Sequence, residues 1–355
     1  MSNIVVRSTP ISDDKRFWVI RAGKDAVYYD HFRKNQLVAI GHTEGLNVDG
    51  IEGELSEADV SKLLKIYRKS LADKGETKSV ISRQVGQVNQ FLTLVKQGDT
   101  VLTITDSKVM VGQVTSKCYY DETELNNFED DGVCCYFPLR INVSWSKSQA
   151  RDYIPYIIDK SFRNTGTIFS ISDHDKVKAL NHWLYPIHFS DDEVRCSINI
   201  KSSEKLSNRE LSNLSNVYNQ LELLSSYIEN LDILENASVE GFKNFLDEHS
   251  LHYDYLLTAQ HAFMSPGYQF IQLKGSKLQL KAYALAFALL FNSNIVFAEE
   301  DTNDQVLTEK VVELVQVLKT EMVIQSIDSL KAEMQKQSIQ DFDFEEPIPS
   351  LDAML

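Results

Sequence analysis

The chain has 355 residues, 43% of them hydrophobic, with 14 Gly, 7 Pro and 4 Cys, and a formal net charge of −15. That length suits two domains of ordinary size, and the composition excludes a disordered, collagenous or disulfide-stapled chain. The charge is uneven: residues 1–190 hold 24 basic and 24 acidic side chains, leaving 12 basic and 27 acidic in the remainder, so the two parts are expected to meet different partners.

In chain order, Met1 to Pro10 contains Arg7 but no long apolar run, which points to a cytoplasmic protein without a leader. Residues 17–21 (Phe-Trp-Val-Ile-Arg) and 37–41 (Leu-Val-Ala-Ile-Gly) read as strands, with a short helix or turn at 26–34 between them. Ser56 and Asp59 form a capping-box pattern for a helix running to about Lys74. Val60, Leu63, Leu64, Tyr67 and Leu71 make its apolar face, and Lys62, Lys65 and Lys69 line another. A second helix is expected over 83–96, with Val85, Val88, Phe91, Leu92 and Val95 inward. Strands at 100–105 and 109–115 form a hairpin across Asp106-Ser107-Lys108. Further strands are expected at 136–145 and 167–172, before a helix over 173–184. Cys134 and Cys135 are adjacent while Cys118 and Cys196 stand alone, so there is no CxxC pair to start a metal site, and four reduced thiols are expected.

Beyond residue 200 the pattern turns helical, over 208–234, 239–249 and, long and amphipathic, 307–335. Ser265-Pro266-Gly267 is a breaker. Residues 278–291 are apolar almost all round, as in a central buried helix. The stretch 282–297 is broken by Asn292, Ser293 and Asn294 and falls short of the ~20 residues a membrane span needs, so a buried helix followed by a strand is expected. The last residues are acidic and carry two prolines. The expected organisation is a mixed α+β domain over 1–190, an acidic, mostly helical effector or oligomerisation domain over 200–338, and an acidic flexible tail over 339–355.

Three segments of the first domain carry a resemblance. Residues 17–23 (Phe-Trp-Val-Ile-Arg-Ala-Gly), 26–32 (Ala-Val-Tyr-Tyr-Asp-His-Phe) and 38–41 (Val-Ala-Ile-Gly) resemble the opening of the N-terminal specificity domains of McrBC-type modification-dependent restriction systems and their EVE relatives. Gln87 to Phe91, Lys96 to Leu102 and Val109 to Val114 are similar to the block that follows in that family, and Tyr119-Tyr120 stand where it often has tyrosines. The resemblance covers about residues 16–185. It implies a PUA-like mixed β-barrel with flanking helices that reads a base, often a modified one, flipped out of DNA or RNA in a prokaryotic anti-phage defence setting. Taking a base out of a duplex costs a few kcal/mol, offset by stacking and by hydrogen bonds to the base edge.

By family position, Trp18, Arg21, Gly41, His42 and Thr43 are expected near the base. Ser82, Arg83, Gln84 and Gln87 are expected at a helix N-terminus, where free N–H groups suit a phosphate. Arg163 and Asn164 precede a strand, at a position where relatives also approach the nucleic acid. Seven basic residues against two acids between Lys62 and Arg83 make the best phosphate track in the chain, with Lys62, Lys65 and Lys69 at its start. Where relatives have Trp after Ile-Gly this chain has His42, which offers less π surface.

No catalytic residue, metal or cofactor is assigned. The chain contains no GxxxxGK[ST] loop, no HNH pattern and no GxSxG elbow, and Asp247, Glu248, His249, His252 and Asp254 match no metal-site spacing. The expected protein is a reader that signals through its second domain to an effector or to another copy of itself. Two alternatives stay open: a nuclease with its site in the C-terminal part, and a structural adaptor whose barrel is plugged by apolar side chains.

Overall fold

The computed structural model describes residues 4–6, 16–46, 48, 50–125, 132–190, 192–202, 207–263, 267–291, 295–297 and 302–334. They form two compact units, an N-terminal one within Asp14–Leu180 and a C-terminal one within Asn181–Gln337 that also takes the first strand, β1 (Ile4–Val6). The expected acidic tail, 339–355, lies outside the described residues.

The N-terminal unit runs through β2 (Phe17–Ile20), α1 (Tyr29–Lys34), β3 (Leu37–Ile40), β4 (Gly53–Glu54), α2 (Glu57–Asp73) and α3 (Lys78–Asn89). It continues with β5 (Thr100–Ile104), β6 (Lys108–Val114), β7 (Tyr119–Tyr120), β8 (Leu139–Trp145), β9 (Gln149–Ala150), α4 (Tyr156–Asp159), β10 (Ile168–Ile171) and the start of α5 (His174–Leu184). The strands make a curled half-barrel in the order β10-β2-β5-β6-β8-β7-β4, with β3 on β8 and β9 on β6. β2 lies parallel to β5 and antiparallel to the edge strand β10, which places Trp18 between Val101 and Ser170. β8 turns the corner. Its residues 139–142 pair with β3 and 143–145 with β6. The capping box is formed: Ser56 accepts from the Asp59 N–H while the Asp59 carboxylate accepts from Ser56 N.

Helix α3 starts earlier than the apolar pattern suggests. Gly75, at φ +75°, ends the turn after α2, and Thr77 caps α3 by accepting from Val80 N. The last turn of the expected helix widens into a π-turn over Gln90–Leu94, where Val95 N reaches Gln90 O. Beneath the helices, Leu63, Tyr67, Val85, Val88 and Phe91 join Trp18, Ile20, Val101 and Ile168 in the core.

The C-terminal unit holds a sheet that the helical pattern left unread. β11 (Ile187–Ser190), β12 (Glu193–Ile200), β13 (Thr258–Phe263) and β14 (Gly267–Lys274) run in the order β11-β12-β14-β13, and β16 (Ala332–Met334) pairs with β12. The expected helices are present, and they pack on a five-stranded antiparallel sheet that the expectation of a mostly helical domain did not include. On it pack α6 (Asn208–Glu229), α7 (Val239–His249) and α8 (Lys277–Phe291), the last buried nearly all round. The stretch 307–335 is not one helix: α9 (Thr302–Leu318) ends before Thr320, whose hydroxyl caps α10 (Glu321–Leu330) by accepting from Val323 N. β15 (Ile295–Phe297) follows α8 and pairs in parallel with β1. All four cysteines are free thiols. Among the described residues, no helix is long and apolar enough to cross a membrane.

Candidate functional site

The N-terminal unit carries an open cleft of about 1390 Å³ between the helical hairpin α2–α3, the turns after β2 and β3, and the approach to β10. Such a volume exceeds the ~300–1,000 Å³ usual for small-molecule sites. Its wall brings together Arg21, His42, Ser82, Arg83, Gln84, Gln87 and Asn164, with Lys24, Lys74, Gln90 and Phe137 beside them.

Each side arrives by a local device. After β2 the chain makes a tight turn in which Gly23 (φ +79°), Asp25 (φ +53°) and Ala26 (φ +57°) are left-handed. Tyr28 N to Ala22 O closes that turn. Left-handed backbone at two successive non-glycine residues costs on the order of 1–2 kcal/mol each, a strain held at the rim of the cleft. Arg21 projects from the strand end, and its Nη2 donates to Phe162 O (2.6 Å) and Asn164 O (2.7 Å), fixing the approach to β10. Burial, with Arg151 nearby, lowers the Arg21 pKa; the guanidinium stays charged at neutral pH because it starts from so high a value.

Gly41 ends β3 where no side chain fits: a Cβ there would lie 2.3 Å from the Phe137 ring. Phe137 meets Tyr28 edge-to-face at 4.8 Å, so Gly41 opens the floor of the cleft over an aromatic pair. His42 follows, with its ring edge-to-face to Tyr67 at 6.1 Å. Burial lowers its pKa, opposed by the Gln87 amide, so near neutral pH the imidazole offers one donor and one acceptor. Tyr67 Oη donates to Gln84 Oε1 at 2.8 Å, tying α2 to α3 and leaving the Gln84 NH₂ group as a donor.

Several expected site residues stand elsewhere. Trp18 is a core residue, 2% exposed, whose Nε1 donates to Asp99 Oδ2 at 2.8 Å. It is not on the cleft wall, because β2 is buried on both faces between β5 and β10. Thr43 is fully buried, and its hydroxyl has no hydrogen-bond partner among the described residues; it too is off the wall. Lys62, Lys65 and Lys69 are exposed on α2 but face away from the cleft, whose α2 wall is Tyr67, Leu71 and Lys74. Arg163 is exposed and off the wall, while its neighbour Asn164 is on it. Ser82, Arg83, Gln84 and Gln87 do line the cleft, but from the second and third turns of α3 rather than from a helix N-terminus. Their backbone N–H groups are inside the helix, so only side chains can bind there.

Sequence reading missed Lys24, Phe137 and Gln90. Lys24 precedes the left-handed pair, which no composition signal marks, and Phe137 reaches Gly41 across nearly a hundred residues. In the C-terminal unit, His249 Nδ1 is hydrogen-bonded to Phe245 O and its ring stacks on Phe245 at 4.1 Å. Among the described residues no group of three or more His, Cys, Asp or Glu gathers to hold a metal. Compared with known proteins, the chain matches no protein-family model and no curated protein.

Proposed function

We propose that the N-terminal unit is a PUA-like reader of the EVE type, which binds nucleic acid and takes one base, modified or not, into this cleft. The carrying observation is a local excess of positive charge in a protein of net −15: Arg21, Lys24, Lys74 and Arg83 share the wall with a single acid, Asp25. Cations around an open groove neutralise phosphates. His42, Gln84 and Gln87 supply a mixed donor and acceptor set of the kind that reads a base edge, and the floor at Gly41 and Phe137 gives a flat apolar surface. The wall is too polar to act as an apolar plug, which disfavours the adaptor reading.

The C-terminal unit, on this reading, reports occupancy to an effector or to a second copy of the chain, and the defence setting rests on the family resemblance of residues 16–185. The test is fluorescence-anisotropy binding to matched DNA and RNA oligonucleotides, unmodified, methylated and hydroxymethylated, at two salt concentrations. Salt-sensitive binding that falls at least tenfold in His42→Ala combined with Gln84→Ala supports the proposal. Binding that ignores these residues, or none to any oligonucleotide, overturns it.

A further inference from the structure

Beside the large cleft lies a second pocket of about 350 Å³, lined by Lys160, Ser161, Ser170, Ser172, Asp173 and Lys176 among others. The two cavities share Asn164, Phe169 and Ser170, so they form one path along the edge strand β10, with the partly buried Phe169 side chain between them. Lys160 Nζ sits 4.7 Å from the Tyr156 ring centre, and Tyr156 is 67% exposed. The Asp173 carboxylate is already engaged, accepting from Lys176 N at 3.2 Å. Ser161 adds a buried hydroxyl with no hydrogen-bond partner among the described residues.

Two lysines and three serine hydroxyls around a pocket of this size suit one phosphate and its sugar, not a planar base. Tyr156 and Phe169 place aromatic rings next to that charge, a pairing that favours single strands, in which bases stack on aromatic side chains while cations track the backbone. We propose that the small pocket holds the phosphate of a nucleotide adjacent to the one in the cleft, so that the ligand is a strand of at least two nucleotides running along β10 over Phe169. This rests on the reading of the cleft as a base site and names the form in which the ligand arrives.

The experiment compares mixed-sequence single-stranded oligonucleotides of one to eight nucleotides, by competition against a labelled strand, with the full-length protein and its Lys160→Gln/Lys176→Gln and Lys160→Glu/Lys176→Glu variants. The wild type should gain tenfold or more in affinity between the shortest ligand that binds and the longest. Both variants should lose most of that gain while keeping the affinity of the shortest ligand within twofold. The salt slope should fall by about 0.7 for each phosphate contact removed from a single strand. Circular dichroism checks that both variants fold, the glutamine pair being the milder change. If the length-dependent gain survives in both variants, the second pocket is not a phosphate site and the cleft reading stands. If no length binds to any form, the cleft reading itself falls.

Discussion

The two units use their polar side chains in opposite ways. In the N-terminal unit His42, Arg83, Gln84 and Gln87 face an open cleft. In the C-terminal unit one set of polar groups is turned on itself inside the core. Tyr218 Oη donates to Gln269 Oε1 at 2.7 Å, Gln279 Nε2 donates to Ser226 Oγ at 3.0 Å, and Ser226 also meets the Tyr253 hydroxyl. Glu222, fully buried on α6, accepts from the backbone N–H groups of Leu256 (2.7 Å) and Leu257 (3.1 Å). Buried networks of this kind specify one packing when every member is satisfied and are costly when one is removed. Polar groups left open to solvent are free to bind, whereas those closed off in the core hold the fold together.

The largest expected effect breaks the closed side alone. Glu222→Ala leaves two backbone donors without their acceptor and should cost about 3 kcal/mol, read as a lowered urea midpoint. Oligonucleotide affinity at 25 °C should stay within twofold while the protein remains folded. A large loss of affinity in the folded variant would show that the two kinds of polar group are not independent.

Acid is the next lever, and it too should act on the C-terminal unit. Burial pushes the His182 pKa down to about 4, against a hydrogen bond between Nε2 and Cys196 O at 3.1 Å. An unfolded histidine titrates near 6.5, so between these values the unfolded chain binds more protons than the folded one. Stability from this group is therefore complete above about pH 6.5, falls as the pH drops, and is lost below about 4. At pH 5 the loss is about 2 kcal/mol, at roughly 1.36 kcal/mol per unit. The difference in stability between wild type and His182→Gln, followed by urea titration from pH 7 to 5, should shrink by that amount; a constant difference would mean the imidazole is not held neutral.

How much of this was legible depends on where each signal lies along the chain. Helix α2 was readable because its cap, Ser56 with Asp59, and its apolar stripe are local, and the β5–β6 hairpin because its turn is three residues long. The start of α3 is marked by Gly75 and Thr77, a helix stop and a helix start two residues apart, and lies ahead of the first apolar repeat, which is why that repeat alone places it too late. Family position alone points Trp18 at the pocket, and because β2 is buried on both faces its sequence has no alternation to say which way the ring points. The C-terminal sheet did have a signal: Val194, Cys196, Ile198 and Ile200 alternate with polar residues along β12, whereas in β14 the buried face carries Gln269 and the other face Tyr268 and Phe270, which hides the alternation. What no local pattern could show is the pairing of Gly41 with Phe137, or of Arg21 with the carbonyls at 162 and 164, since both are set by tertiary packing.

On the open side, Arg83 is the sharpest probe. It is exposed, lies on the cleft wall and makes no ion pair among the described residues. Arg83→Ala should therefore change folding stability by no more than about 0.5 kcal/mol and weaken oligonucleotide binding about tenfold, or ~1.4 kcal/mol. Anisotropy and urea titration on the same preparation separate the two effects. A large drop in stability with unchanged affinity would place Arg83 in the fold rather than the site.

The smallest expected effect is the most discriminating, because it contrasts two sets of cations on neighbouring faces. Lys65 belongs to the α2 stripe that the sequence marks as a phosphate track, yet it points away from the cleft wall formed by Tyr67, Leu71 and Lys74. A strand lying in the cleft meets Lys74 and Arg83 directly and senses Lys65 only through solvent, where a Debye length of about 8 Å at physiological salt screens the interaction. Lys65→Ala should then reduce affinity less than twofold at 0.15 M salt, with a somewhat larger effect at low salt. If it costs as much as Arg83→Ala, the backbone of the ligand runs along the outer face of α2, and the cleft receives only the base at its end.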